Sequence, residues 1–210
     1  MDHHQHGDVL LEETMDGGYF ALIEQTRVLD VRAAQARVLW DHGWGRARHA
    51  RFEDFLRTIP HMSRCPSDVR FGTPVLVDTS VKLTDACRLV GIDFGGDDSV
   101  FTIPPSRKPD AEVYWMWVCA RPTNAGMAPY HAVQLHRTFE KTLIAYEGVA
   151  YLIQYPGALA AGVKLCFAGS RLCSFPAYCA CLMGLDEGPA LGVTEFCRAD
   201  PEQETLLRWG

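Results

Sequence analysis

Glu147 is the single acid in TLIAYEGVAYLIQYPGAL, residues 142–159, an apolar run that stops at Tyr155-Pro156-Gly157. Two roles are open to a carboxyl held there: it can accept backbone amides at a helix start, or act as an acid or base in a low-dielectric site. The chemical role needs partners. The chain offers Tyr114, His131 and Arg171, which can donate protons, shuttle them or neutralise charge if they converge in one pocket. Arg171 lies in AGSRL, residues 168–172, behind a strand-like run, where Ser170 and the backbone amides would help it hold a small anion. That stretch lacks the G-x-S-x-G spacing of a hydrolase elbow, so Ser170 is a ligand-binding candidate and not a nucleophile. Capping for Glu147 and an ordinary turn for AGSRL stand ahead of the chemical readings.

A second candidate is electrostatic. Seven arginines fall between Arg27 and Arg57, and Arg46, Arg48 and Arg51 would form the centre of a phosphate-contacting patch. They do not line one helical face, and Asp30, Asp41, Glu53 and Asp54 are interspersed, which favours a solvated surface. Eight cysteines include no pair at zinc-knuckle spacing, and Cys179 and Cys181 share a face if that stretch is a strand, as packed thiols would. His3, His4 and His6 resemble a tag-like start, and His131 and His136 point apart on a helix. No metal and no cofactor are expected.

These side chains need a scaffold, and composition permits one. A chain of 210 residues with 48% hydrophobic content buries a substantial core, and a net charge of -6 repels polyanions except at a local patch. No run of eighteen apolar residues occurs and the start is acidic, so a cytoplasmic protein is expected. The expected organisation is a disordered N-terminus over residues 1–17, a single α+β domain over 18–198 and a polar tail over 199–210. Within the domain, 18–59 reads as a helical subregion and 74–197 as a sheet-containing core.

Tyr19, Leu22, Ile23, Thr26, Leu29, Ala33, Ala36 and Trp40 recur at helical spacing, and Phe52, Phe55, Leu56 and Ile59 form a second stripe before Pro60. PVLVD, SVFTI, EVYWMWVCA, VKLCF, AYCACLM and ALGVTEF read as strands. EVYWMWVCA is apolar on both faces and should be covered on both. Residues 79–91 predict a helix capped by Thr79 or Ser80, His131, Val133 and Leu135 a short one, and Leu143, Tyr146, Val149, Ala150 and Ile153 the buried stripe of another. The outcome is an α+β fold, a mixed β-sheet of about five to six strands flanked by helices, with an N-terminal helical segment.

PVLVDTSVKLTDACRLV, YWMW, TNAGMAP, AYEGVAYLIQYPGAL, FAGSRL, PAYCACLM and GPALGV, in this order over roughly residues 74–197, resemble an uncharacterised bacterial family, domain of unknown function fifty-seven-oh-one. The resemblance implies a bacterial cytosolic protein and assigns no catalytic residue. It also implies T-x-x-E at the start of the Glu147 helix, a box in which hydroxyl and carboxylate satisfy each other's amides. Ile144 occupies the cap position here and cannot accept. Either the helix begins a turn earlier at Thr142, or Glu147 has lost its reciprocal partner.

Three functions follow in order of preference. The first is a non-enzymatic protein-binding or regulatory module, suggested by aromatic content and the lack of a reactive constellation. The second is a small-molecule enzyme with a pocket around Glu147, Tyr114 and Arg171. The third is a nucleic-acid-contacting accessory protein using Arg46, Arg48 and Arg51. No membrane association is expected.

Overall fold

A computed structural model describes residues 30–120, 124–135 and 140–209. The N-terminal 1–17 segment, the first part of the leading apolar stripe, and His136 lie outside the described residues. The first described helix, α1, covers residues 30–41 and ends in turns around Gly43 and Gly45, both at positive φ. Helix α2, Phe52–Thr58, buries Phe55, and Gly45 is where that ring needs room: a Cβ there would lie 2.4 Å from it.

Among the described residues nine strands divide between two sheets. The first sheet has the order β1 (Thr73–Asp78), β3 (Val113–Val118), β9 (Leu207–Trp209), β4 (Glu140–Thr142), all antiparallel. The second runs β2 (Phe101–Thr102), β5 (Lys164–Leu172), β6 (Tyr178–Leu185), β7 (Gly188–Glu195). Its β8 (Gln203–Thr205) pairs parallel with the start of β5. The α+β class is as expected, with two sheets in place of one. The C-terminal segment, expected to be a polar tail, instead supplies a strand to each sheet. The chain changes sheets at buried Leu206, whose N–H donates to Cys166 O and whose carbonyl accepts from Leu143 N.

Helix α5, Ala145–Gln154, lies between the sheets, with β1 on one side and β5 and β6 on the other. Its apolar residues surround it almost completely, as a helix buried on most sides requires. Gly148 permits the closest approach: a Cβ there would fall 2.1 Å from the Phe167 ring on β5. At its C-terminal end the Gln154 amide accepts from Leu76 N at 2.9 Å and donates to Leu76 O at 2.7 Å, while Tyr155 Oη donates to Pro74 O. The outer edge of β1 is thereby closed to other strands.

Both faces of β3 are covered, by different layers. Met116 and Val118 join the core shared with α5. Trp117 and Cys119 turn the other way and pack with Phe71 and Leu207 in a second cluster. The Trp115 and Trp117 indoles donate to Pro60 O and Ser63 Oγ of the preceding loop. Trp117 and the α5 stripe therefore do not share one interior. Helix α3, Leu83–Leu89, begins after Lys82, not at a Thr79 or Ser80 cap; its first amides are accepted by Tyr146 Oη and Asp98 Oδ1. Helix α4 covers Pro129–Gln134.

Candidate functional site

Glu147 is fully buried at the third position of α5. Its Oε2 accepts from Ile144 N at 2.9 Å, the carboxylate half of a capping box. The missing hydroxyl half comes from elsewhere in the chain: Ser170 Oγ accepts from Ala145 N at 2.9 Å. Helix α5 therefore does not begin at Thr142, which lies in β4, and a strand residue caps it across space.

Ser170 reaches the helix because of an irregularity in β5. Phe167 pairs with Ala180 and Arg171 with Cys179, so four steps along β5 match one along β6. This enlarged bulge turns Ser170 toward α5 and brings Gly169 against the helix approach, where its N–H donates to Leu143 O at 3.0 Å. A Cβ on Gly169 would meet that carbonyl at 2.7 Å. AGSRL, expected as a turn, is thus the bulged continuation of a strand. Ser170 is 1% exposed, with its hydroxyl engaged in capping.

The Glu147 Oε1 atom meets two further groups. Tyr114 Oη donates to it at 2.9 Å, from the β3 face that carries Met116 and Val118. Arg208 Nε stands 2.8 Å away, on β9 beside Val118. That N–H is not aimed along the line between the atoms, so the Arg208 pair is coulombic more than a directed hydrogen bond. Burial raises the Glu147 carboxyl above the usual carboxylate range, opposed by Arg208, Ile144 N and Tyr114. Burial, then the neighbouring carboxyl, pushes the Tyr114 phenol well above its ordinary value.

Arg107, at the end of the 3-10 turn Pro105–Arg107, brings a second guanidinium into the electrostatic reach of Glu147 and Arg208. Burial and the Arg208 charge lower its pKa, partly offset by Glu147. Neither arginine stood out in the sequence. Each is isolated there, Arg208 in an apparent tail and Arg107 in a proline-rich loop, and only the fold brings them to Glu147.

The remaining candidates sit elsewhere. The Arg171 guanidinium lies over the Phe196 ring, 2.9 Å from its centroid, and Phe196 packs edge-on against Tyr130. His131 is exposed on α4 with its ring 5.6 Å from that of Tyr130. Arg171 and His131 thus belong to one surface around Phe196, apart from the Glu147–Tyr114 pair. Among the described residues the groups that meet Glu147 are Ile144 N, Tyr114 and Arg208, and Arg171 packs on Phe196 instead. Arg48 bonds to Asp78, Glu112 and Ser80, Arg51 to Asp54, and Arg46 lies 4.0 Å from Asp41 over the Trp40 ring. Each of the three faces an acid, which lowers the local positive potential available to a polyanion.

Burial raises the Cys87, Cys179 and Cys181 thiols to about 12, and Cys166 is pushed up in the same way. Thiols so placed are packing groups, poor in thiolate. No cluster of three or more His, Cys, Asp or Glu suited to a metal occurs among the described residues. No described helix is long and apolar enough to cross a membrane.

A concave feature of ligand size lies at the other end of α5. A cleft of about 380 Å³ is lined by His42, Leu152, Ile153, Leu159, Leu185 and Pro189, with Val90 and Ile92 beside them. It opens where α1, α3 and α5 end and the β6–β7 hairpin turns. His42 Nδ1 lies 2.8 Å from Val38 O, and since a carbonyl only accepts, that nitrogen carries the proton. Comparison of the chain with protein-family models, with curated proteins and with solved structures gives no match.

Proposed function

We propose that the protein is a non-enzymatic binding module that takes a small apolar molecule bearing a hydrogen-bond donor into the cleft at the C-terminal end of α5. One observation carries this reading: the ligand-sized cleft is lined by apolar side chains, with His42 its single ionisable one. The acid that invites a catalytic reading is engaged at the opposite end of the helix by Ile144 N, Tyr114 and Arg208. Three helices end at the cleft, and helix C-termini present carbonyl oxygens and partial negative charge, which favours a donor over an anion. His42 Nε2 adds an acceptor, because its Nδ1 is committed to Val38. The resemblance to family fifty-seven-oh-one assigns no residue and is compatible with this reading.

Methyl NMR of the full chain tests it, with indole as the probe and octanoate as an anionic counterpart. Indole should shift the Leu152, Ile153 and Leu159 methyls saturably, octanoate more weakly, and Ala161→Trp at the cleft wall should abolish both responses. Indole shifts that survive Ala161→Trp unchanged, or methyls that respond only to apolar peptides, would sink the proposal. The second outcome would identify the cleft as a seat for a partner's side chain.

A further inference from the structure

We infer that the molecule this cleft takes is a cation: a primary ammonium on an apolar body, its N–H groups donating to Leu152 O and His42 Nε2 and its charge balanced by acids at the rim. The inference rests on the binding reading above and adds the charge of the ligand and the atoms that select it.

The end of α5 supplies the first acceptor. The carbonyl of Leu152 would take its helical hydrogen bond from residue 156, but that residue is Pro156, which has no N–H. Tyr155 N donates to Tyr151 O instead, and among the described residues no backbone donor reaches Leu152 O. Leu152 and Pro156 both line the cleft, and helix carbonyls point along the axis toward the C-terminal end, so the unmet acceptor lies at its wall. The other two helices that end here close their carbonyls internally. Past α1, Trp44 N donates to Leu39 O and Gly43 N to Trp40 O; past α3, Ile92 N donates to Cys87 O and Gly91 N to Arg88 O. The proline that stops α5 therefore reserves one place in the cleft for a donor from outside, and His42 Nε2 is a second acceptor in the same lining.

The rim sets the charge. Asp186 and Glu187 are the two-residue loop of the β6–β7 hairpin, between Leu185 and Gly188, which pair with each other and both line the cleft. Asp93 follows Ile92 of the wall and bonds through its backbone to Pro189 and Leu191. All three acids are exposed, and among the described residues none has a side-chain hydrogen bond or an ion pair. Cations on the neighbouring elements already face acids: Arg88 lies 2.6 Å from Asp85, and Arg46 4.0 Å from Asp41. The mouth is therefore negative, and the converging helix C-termini add to that. A carboxylate would be repelled, and a neutral donor would meet the carbonyl without using the charge. An ammonium uses both, with three donors for the two acceptors and for water.

The full chain is titrated at pH 7 with three ligands that share one ring system, tryptamine, indole and indole-3-propionate, and binding is read from the Leu152 and Ile153 methyl resonances. Tryptamine should bind about fivefold tighter than indole, a gain of the size that exposed charges give, and indole-3-propionate more weakly than indole. N,N,N-trimethyltryptamine, which keeps the charge and loses the ammonium N–H groups, should fall between tryptamine and indole. The ratio of tryptamine to indole affinity should drop in Asp186→Asn with Glu187→Gln, in Asp93→Asn on a different element, and in the parent at high chloride. Indole binding with tryptamine no tighter would overturn the ammonium and leave the apolar cleft standing. Tighter binding of indole-3-propionate, or a ratio unchanged in both charge variants, would overturn it as well. A trimethyl compound as tight as tryptamine would overturn the roles of Leu152 O and His42 Nε2. If no ligand moves these methyls, the cleft is not a binding site and both readings fall.

Discussion

Glu147 poses a question of charge at the scale of one residue. Its carboxyl is raised by burial, so the folded chain retains a proton in a pH window where the unfolded chain, with a pKa of about 4.3, has released it. Stability from this group is therefore greatest below the unfolded value and falls as pH rises toward the folded one. Glu147→Gln removes the titration and keeps an acceptor. Urea unfolding from pH 4 to 8 should show the parent's stability advantage over this variant shrinking as pH rises. Glu147→Ala leaves Ile144 N and Tyr114 Oη without their acceptor and should cost about 3 kcal/mol near neutrality. A parent advantage that grows with pH would mean that Arg208 outweighs burial and the carboxyl is held below its ordinary range. A capping role for this acid was legible because it falls in the first turn of an apolar helical run, a local feature of the sequence. Tyr114 was named as a partner and does meet it, but neither Arg208 nor the capping role of Ser170 could be seen, since each reaches the site through pairing between strands far apart in the chain.

The contact between α5 and β5 is decided by a missing side chain. Alanine normally stabilises a helix interior over glycine by about 1 kcal/mol. At Gly148 the added methyl would be driven into Phe167, a fully buried ring with no room to yield. Gly148→Ala should therefore destabilise by about 2 kcal/mol, and adding Phe167→Leu should recover part of that loss, giving a coupling in the double-mutant cycle. Stabilisation by Gly148→Ala alone would disprove the described helix–strand contact. Helix α5 and strands β1, β3, β6 and β7 were legible because long apolar periodicities mark them. Strands β4, β8 and β9 were not: each is three residues long, and EKT, QET and LRW carry no period from which a strand is read. Their positions come from backbone pairing with partners that the sequence does not identify.

For the whole molecule, those short strands join the two sheets. β8 extends the second sheet along β5, Leu206 crosses over, and β9 fills the gap between β3 and β4 in the first. A chain ending at residue 202 would leave the edges of β3, β4 and β5 unpaired and remove Leu206 and Leu207 from the core, along with Arg208. The loss of pairing and of two buried leucines, each worth about 2–3 kcal/mol by itself, exceeds the margin typical of a domain this size once the sheets also separate. The truncated chain should lose its near-ultraviolet circular dichroism and its cooperative urea transition. A chain ending at residue 209 should keep both, because Gly210 lies beyond β9. If the chain ending at 202 unfolds as cooperatively as the full one, the C-terminal strands are peripheral, and neither the arrangement of the sheets nor the position of Arg208 over Glu147 can be what holds α5 in place.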